Sequence, residues 1–216
     1  MKTFVAIMIV SFAVPAIAGS PAQSASKLAL ELAGAQASAG LCHAYMVPPE
    51  KRAELSRYVS EITHAGFVDE AKLTPIDYAV MADDPTDIRR MISLGYNPEH
   101  QFDNPLVGAA LFGSTKAMKA LLAVGVSPNQ GYPDGDSAPL LSAVAQNQQA
   151  LVTYLFNAGA NPNPSLKSGG SPLDYAMPCR DQSLVNLLVA HGVRSSPRTA
   201  KLARKFGLVV SIPRAR

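Results

Sequence analysis

The chain of 216 residues is 48% hydrophobic and 16% charged, which suits one domain with a sizeable core. Beyond residue 18 it lacks the roughly 18 to 20 continuous apolar residues that a membrane span requires, so we expect a soluble protein. The net charge of +3 is unevenly spread: residues 194–216 contain seven basic and no acidic residues, whereas residues 19–193 contain 11 basic and 16 acidic ones.

The N-terminus has the pattern of a secretory signal peptide. Lys2 supplies a positive charge, and residues 4–14 form an apolar run too short to span a bilayer. Ala16 and Ala18 provide the small side chains of a cleavage motif. We predict a signal peptide over residues 1–18 and export, with a bacterial periplasm as the expected compartment. Retention of the segment as an anchor is the alternative.

Residues 19–72 are predicted to form a helical cap. The segment from Ser24 to Met46 is rich in Ala and Leu, which predicts a helix that ends before Pro48-Pro49. A second helix is expected from Glu50 to Ala65, since apolar residues recur along one side of it. These residues are Leu55, Tyr58, Val59 and Ile62.

Four segments then repeat the same pattern. Each begins with a proline and a branched aliphatic residue and has a glycine twenty residues after that proline. The prolines are Pro75, Pro105, Pro139 and Pro172, and the glycines are Gly95, Gly125, Gly159 and Gly192. The proline spacings are 30, 34 and 33 residues, so a helical part of fixed length alternates with loops of variable length. This spacing predicts a stack of helical hairpins.

The residues inside each unit support two helices. Proline begins the first helix at a position where its missing N–H is not needed. A small residue follows four positions later in every unit, at Ala79, Ala109, Ala143 and Ala176, where it allows neighbouring helices to approach closely. The second helix carries apolar residues at i, i+3 and i+4, and the glycine ends it in a left-handed conformation. Between the helices Asp83, Gly113 and Asn147 tolerate a positive φ, but Arg180 does not fit this rule.

The pattern resembles the ankyrin repeat, which opens with T-P-L-H-x-A and closes near L-L-x-x-G-A-x-x-N. The opening is matched by Thr74-Pro75-Ile76-Asp77-Tyr78-Ala79, and the close is matched by residues 121–129 and 155–163. The resemblance covers residues 73–192 and implies an all-α ankyrin solenoid of about four helix-turn-helix units with atypical helical caps at both ends. The units are residues 73–96, 103–129, 137–163 and 170–193. No unit keeps the histidine, and the loop before Pro105 is about three residues short.

Residues 193–216 are predicted to cap the fourth unit. Pro197 can open a last helix that continues through Lys205. The basic residues of this segment are interpreted as a solvated capping helix. The alternatives are contact with anionic lipid or with an acidic partner, whereas nucleic acid is the least favoured partner of an exported protein.

No motif in the chain indicates catalysis, a cofactor or a metal. The four histidines, His43, His64, His100 and His191, lack metal-ligand spacing from one another or from a cysteine. Asp77 and Asp174 replace the usual histidine of the repeat. They lie roughly 30 Å apart, too far for paired catalytic carboxylates. Each is expected to accept hydrogen bonds at the start of its own unit, and we predict no enzymatic activity.

The two cysteines allow one disulfide in an oxidising compartment. The resemblance places Cys179 on the concave groove of the fourth unit, while Cys42 lies near the end of the first cap helix. A bond needs Cα atoms within about 7 Å, so the N-terminal segment would have to fold back along the groove. Two free thiols are the favoured interpretation.

The resemblance also implies a partner-binding surface, because partners of ankyrin proteins usually meet the loop tips and the adjoining ends of the first helices. Aromatic, Met and charged residues at these positions are the predicted contacts. They are Tyr132, Phe102, Phe112, Met81, Glu99, His100, Asp134 and Lys167. The alternative for Phe112 and Met81 is that they fill the seam between repeats. Tyr132 is the preferred single anchor.

The predicted function is a non-enzymatic protein-binding module that acts outside the cytoplasm and is a monomer when free. An immunity or inhibitor protein for a periplasmic toxin is the sharper hypothesis. The alternatives are a helper in periplasmic oxidative-stress defence and a membrane-surface protein that uses the basic tail. The partner is another protein, which the sequence does not identify.

Overall fold

The structure, a computed structural model, describes residues 27–35, 42, 46–62, 73–98, 104–129 and 138–211. All the regular secondary structure of these residues is helical, which confirms the all-α prediction. The predicted signal peptide over residues 1–18 lies outside the described residues.

Eleven α-helices lie within the described ranges. They are α1 (27–35), α2 (Pro49–Ile62), α3 (Pro75–Ala82), α4 (Pro85–Ser93), α5 (Pro105–Leu111), α6 (Thr115–Ala123), α7 (Pro139–Ala145), α8 (Gln149–Asn157), α9 (Pro172–Ala176), α10 (Gln182–Ala190) and α11 (Thr199–Phe206), with a 3₁₀ turn at Met177–Cys179 after α9. The first helices of the four hairpins, α3, α5, α7 and α9, pack in one row, and α4, α6 and α8 pack in a second.

The start and end signals of the hairpins act as predicted. The first helix of each hairpin, which we call the inner helix, begins with its proline in the first turn, and the second helix of each hairpin is called the outer helix. The four closing glycines all have positive φ, for example 89° at Gly95 and 93° at Gly125. The prediction that Arg180 departs from the turn rule is wrong, because Arg180 also adopts the left-handed conformation with φ 53°. Its guanidinium lies over the ring of Phe206, 5.7 Å from the centroid.

Small residues form the seam between hairpins. Ala79, Ala109, Ala143 and Ala176 are fully buried, which confirms that these positions let the inner helices approach closely. Large apolar side chains from the outer helices, such as Met118, complete a core that is continuous from unit to unit. A side chain larger than alanine at the seam would have to displace the neighbouring helix.

The N-terminal cap differs from its prediction. A single helix from Ser24 to Met46 is wrong, because α1 covers residues 27–35 and Cys42 has a left-handed φ of 73°. Cys42 is instead bonded to Cys179 of the fourth unit. Helix α2 packs on α3, and Arg52 forms an ion pair of 2.8 Å with Asp83 in the turn of the first hairpin.

The C-terminal cap covers the last hairpin. Helix α11 packs on α9 and on the 3₁₀ turn, and it begins two residues after Pro197, close to the predicted position. Asp174 accepts hydrogen bonds of 2.6 Å from both Ser196 and Thr199. The carboxylate of the fourth unit therefore fixes the segment that leads into α11.

Candidate partner-binding surface

The C-terminal ends of the inner helices form a row with one equivalent position in each unit. The row consists of Ala82, Phe112, Gln146 and Cys179. The first three side chains are buried, with exposures of 5–6%, and Met81 beside them is equally buried. Phe112 and Met81 therefore fill the seam between units, as the alternative interpretation stated, and they present little surface to a partner.

A disulfide joins Cys42 to Cys179 across this row, with the Cα atoms 5.0 Å apart. The expectation of two free thiols is wrong. Cys42 lies against the third and fourth units, and its N–H donates a hydrogen bond of 2.7 Å to the carbonyl of Ala145 in the third unit. The bond thus connects the residues before the first unit to the last unit.

Met46 continues the same crossing. A side chain at Gly113 would collide with the sulfur of Met46, so Met46 lies against the turn of the second unit, with 61% of its surface exposed. Cys42 thus contacts units three and four, Met46 contacts unit two, and α2 covers unit one. Described residues from before the first unit therefore contact each of the four units near the helix-end row.

The loop tips are the remaining part of the predicted surface. Tip residues Glu99, His100, Phe102, Tyr132 and Asp134 lie outside the described residues. The fourth tip is described, and Lys167 and Ser168 are exposed there.

Arg198 holds the fourth tip in place. Its guanidinium donates a hydrogen bond to the carbonyl of Ser168, and Gly169 adopts a left-handed φ of 65° at the bend. The sequence places Arg198 in the basic tail and does not predict this contact. In the sequence, only the position of Arg198, six residues after Gly192, indicates that it lies near the fourth unit.

Asp77, Asp174 and His191 have structural roles, as the sequence predicts. Asp77 accepts hydrogen bonds from the backbone and side chain of Thr74, at 2.7 and 2.8 Å, and Asp174 accepts one of 3.1 Å from the N–H of Ser171. The ring of His191 stacks on Phe156 with the centroids 4.3 Å apart.

Among the described residues, two carboxyl groups have clearly shifted pKa values. Burial raises the pKa of Asp87, with Asp84 adding to the effect and Arg90 opposing it. Hydrogen bonds, above all from the side chain of Asn147, lower the pKa of Asp181. Asp84 and Asp181 are N-cap residues of α4 and α10, a helix-stabilising role.

Within the described ranges, no three His, Cys, Asp or Glu side chains are grouped as a metal site would require. Over the same residues, no helix combines the length and the apolar character that a membrane crossing demands.

Comparison with known proteins agrees with this geometry. A family model described as ankyrin repeats, in three copies, matches residues 106–198. The chain is also similar to the RelA-associated inhibitor of Mus musculus, with 34% identity over 92 residues. That match covers 41% of this chain and 11% of the mouse protein, so the chain spans only about a tenth of that relative. Residues 106–198, which include the second to fourth hairpins, are therefore similar to the ankyrin-repeat family.

Proposed function

We propose that this chain is a non-enzymatic protein-binding module that contacts its partner through the loop tips of its ankyrin stack. The observation that carries the proposal is the fourth tip, where Lys167 and Ser168 are exposed and Arg198 fixes the backbone. A tip that is ordered before binding loses less conformational entropy when a partner docks. The matched relative is named an inhibitor, which favours an inhibitory role for this chain too.

The buried helix-end row moves the proposed contact area outward. Met81 and Phe112 fill the seam, and the Cys42–Cys179 bond crosses the remaining positions. The proposed contacts are therefore the tip residues Glu99, His100, Phe102, Tyr132, Asp134 and Lys167. Tyr132 is the proposed anchor, since interface energy concentrates in a few aromatic and Arg side chains.

The proposed site of action is outside the cytoplasm, with immunity against a periplasmic toxin as the specific role. Two observations support action outside the cytoplasm. They are the signal-peptide pattern of residues 1–18 and the disulfide, a bond that persists mainly in oxidising compartments. A fusion of residues 1–25 to a reporter active only outside the cytoplasm should be active. Recovery of the uncleaved chain from the cytoplasm would contradict export.

The binding proposal is tested by two matched tyrosine substitutions. Proteins retained from periplasmic extract by the immobilised chain are identified by mass spectrometry, and their affinities are measured by calorimetry. Tyr132→Ala should weaken binding by at least about thirtyfold, the effect of losing an interface anchor. Tyr154→Ala, on the outer helix α8 and 36% exposed, is the control and should leave affinity unchanged. Equal affinities for both variants would contradict binding at the tips.

A further inference from the structure

The outer end of the fourth unit carries a cluster of exposed cationic side chains. Helix α11 is the last helix of the described chain, and basic residues line its free side and the turns next to it. They are Arg180, Arg194, Arg198, Lys201, Arg204 and Lys205, which we name the C-terminal basic face. No acidic residue follows Asp181 anywhere in the sequence.

These cations have no acidic partners among the described residues. The ion pairs between described residues all lie between positions 31 and 90. The two nearby carboxylates are engaged by neutral groups: Asp174 by Ser196 and Thr199, and Asp181 by amide side chains. The C-terminal basic face is therefore not neutralised by the described part of the protein.

Two of the cations are also held close to each other. Arg180 and Lys205 both lie over the ring of Phe206, at 5.7 and 5.3 Å from its centroid. Each cation is attracted to the aromatic ring, but the two contacts together bring two like charges close to one side chain. An external anion would relieve this repulsion.

An exposed apolar side chain follows the last residue of the basic face four positions later in the chain. Val209 is 65% exposed, and the side chain of Gln182 holds its backbone through two hydrogen bonds of 2.8 and 2.9 Å. Leu208 and Val210 on either side pack against the core, so Val209 keeps its outward position. An apolar group fixed beside several cations is the combination that binds peripheral proteins to anionic membranes.

The charge of the molecule is arranged along the stack. Residues 27–98 include eight acidic and six basic residues in their described parts, whereas residues 174–211 include two acidic and six basic ones. With hairpins spaced about 10 Å apart, the acidic end lies roughly 30 Å from the basic end, several times the Debye length of about 8 Å at physiological salt. Repulsion of the acidic end by an anionic surface is therefore screened when the basic end faces that surface.

We propose that the C-terminal basic face adsorbs to an anionic phospholipid surface, with Val209 at the headgroup level and the stack standing end-on. The occupant is a lipid surface because exposed cations and the exposed Val209 side chain occur together at this end of the described stack, and an anionic bilayer offers both charge and apolar contact. This attachment does not depend on the proposed function, since its main cations, Lys201, Arg204 and Lys205, lie on α11 and not on the loop tips. Binding would be peripheral and sensitive to salt, because it rests mainly on Lys and Arg side chains near the lipid charges.

The first test measures cosedimentation of the oxidised chain with phosphatidylcholine vesicles that contain about one third phosphatidylglycerol, at low and high salt. Replacing Lys201, Arg204 and Lys205 by Gln should weaken binding by about a hundredfold, from roughly fivefold per basic residue. The control replaces three exposed basic residues of the outer helices by Gln, with the same loss of net charge; these are Arg89, Lys116 and Lys119. The control should bind as the unchanged chain does, and equal losses in both variants would overturn the proposal.

The second test uses the absence of tryptophan from the sequence. Val209→Trp should show a blue-shifted emission on adding the vesicles, whereas Leu94→Trp, at an exposed site near the opposite end, should not shift. No vesicle binding at low salt, or a shift at Leu94 alone, overturns the proposal. If soluble polyglutamate binds instead of vesicles, and the Lys201/Arg204/Lys205 change removes that binding, the surface serves an acidic protein and the lipid proposal is wrong.

Discussion

Removing the Cys42–Cys179 bond should lower the free energy of unfolding more than any single substitution within the stack. The bond joins residues 137 positions apart. Constraining an unfolded chain over a loop of this length gives about 5 kcal/mol of stabilisation at 25 °C from chain entropy. The hydrogen bond that would remain, from Cys42 to Ala145, contributes about 1 kcal/mol. We expect Cys42→Ser/Cys179→Ser to lose about 3–5 kcal/mol.

The loss should also have a direction along the stack. In a linear repeat protein each unit contacts only its neighbours, so the end units open most easily. The disulfide connects the segment before the first unit to the fourth unit and so restrains both ends. Hydrogen exchange should therefore speed up more in α9 and α10 than in α5 and α6 when the bond is removed.

Urea denaturation followed by circular dichroism measures the total loss, and exchange with mass spectrometry locates it. A reductant should reproduce the effect in the unchanged chain and have none on the double variant. The reasoning is refuted if the double variant unfolds within about 0.5 kcal/mol of the oxidised chain, the range of an ordinary surface substitution. Equal acceleration of exchange in all units would refute the end-joining part alone.

Three further substitutions test contacts between units. Ala143→Leu should cost about 1–3 kcal/mol by overpacking the seam, whereas Ala150→Leu, exposed on α8, should change little, and equal melting temperatures would contradict this packing. Asp83→Ala should cost about 3 kcal/mol in urea denaturation because it leaves Arg52, only 18% exposed, without its partner; a loss under about 1 kcal/mol would contradict a structural ion pair. Asp181→Ala should cost about 1 kcal/mol at neutral pH through loss of an N-cap. The folded pKa of Asp181 lies below its unfolded value, so its contribution to stability is full above about pH 4 and fades as the pH falls through the folded pKa. The unfolding free energies of the unchanged chain and of Asp181→Ala should therefore converge in acid.

The hairpins could be predicted from sequence because their signals are local. Proline at the first turn and glycine after the second helix determine where helices begin and end within a few residues, as at Pro75 and Gly95. The seam alanines follow from the same periodicity. The turn at Arg180 could not be predicted, since a contact with Phe206, 26 positions later in the chain, accompanies its left-handed backbone.

The proposed binding surface was harder to predict because Cys42, far away in the sequence, is joined to the helix-end row. Nothing local in the sequence around Cys42 shows that it reaches Cys179, and a helical pattern through that residue indicated the opposite. The exposure of Phe112 and Met81 was inferred from their register in the repeat. Register places a residue on a face, but it does not say whether neighbouring chain segments cover that face.

Aspartate replaces the usual histidine of the repeat in the first and fourth units, and its hydrogen bonds differ between the two. In the first unit Asp77 bonds to Thr74, three residues earlier, which is a local helix-start contact. In the fourth unit Asp174 makes that local contact and also binds Ser196 and Thr199, at 2.6 Å each. A carboxylate accepts several hydrogen bonds at once, whereas a neutral imidazole has one acceptor nitrogen. Asp174 therefore connects the C-terminal cap to the stack. That cap in turn positions Arg198 at the exposed fourth tip and presents the basic face at the end of the described stack.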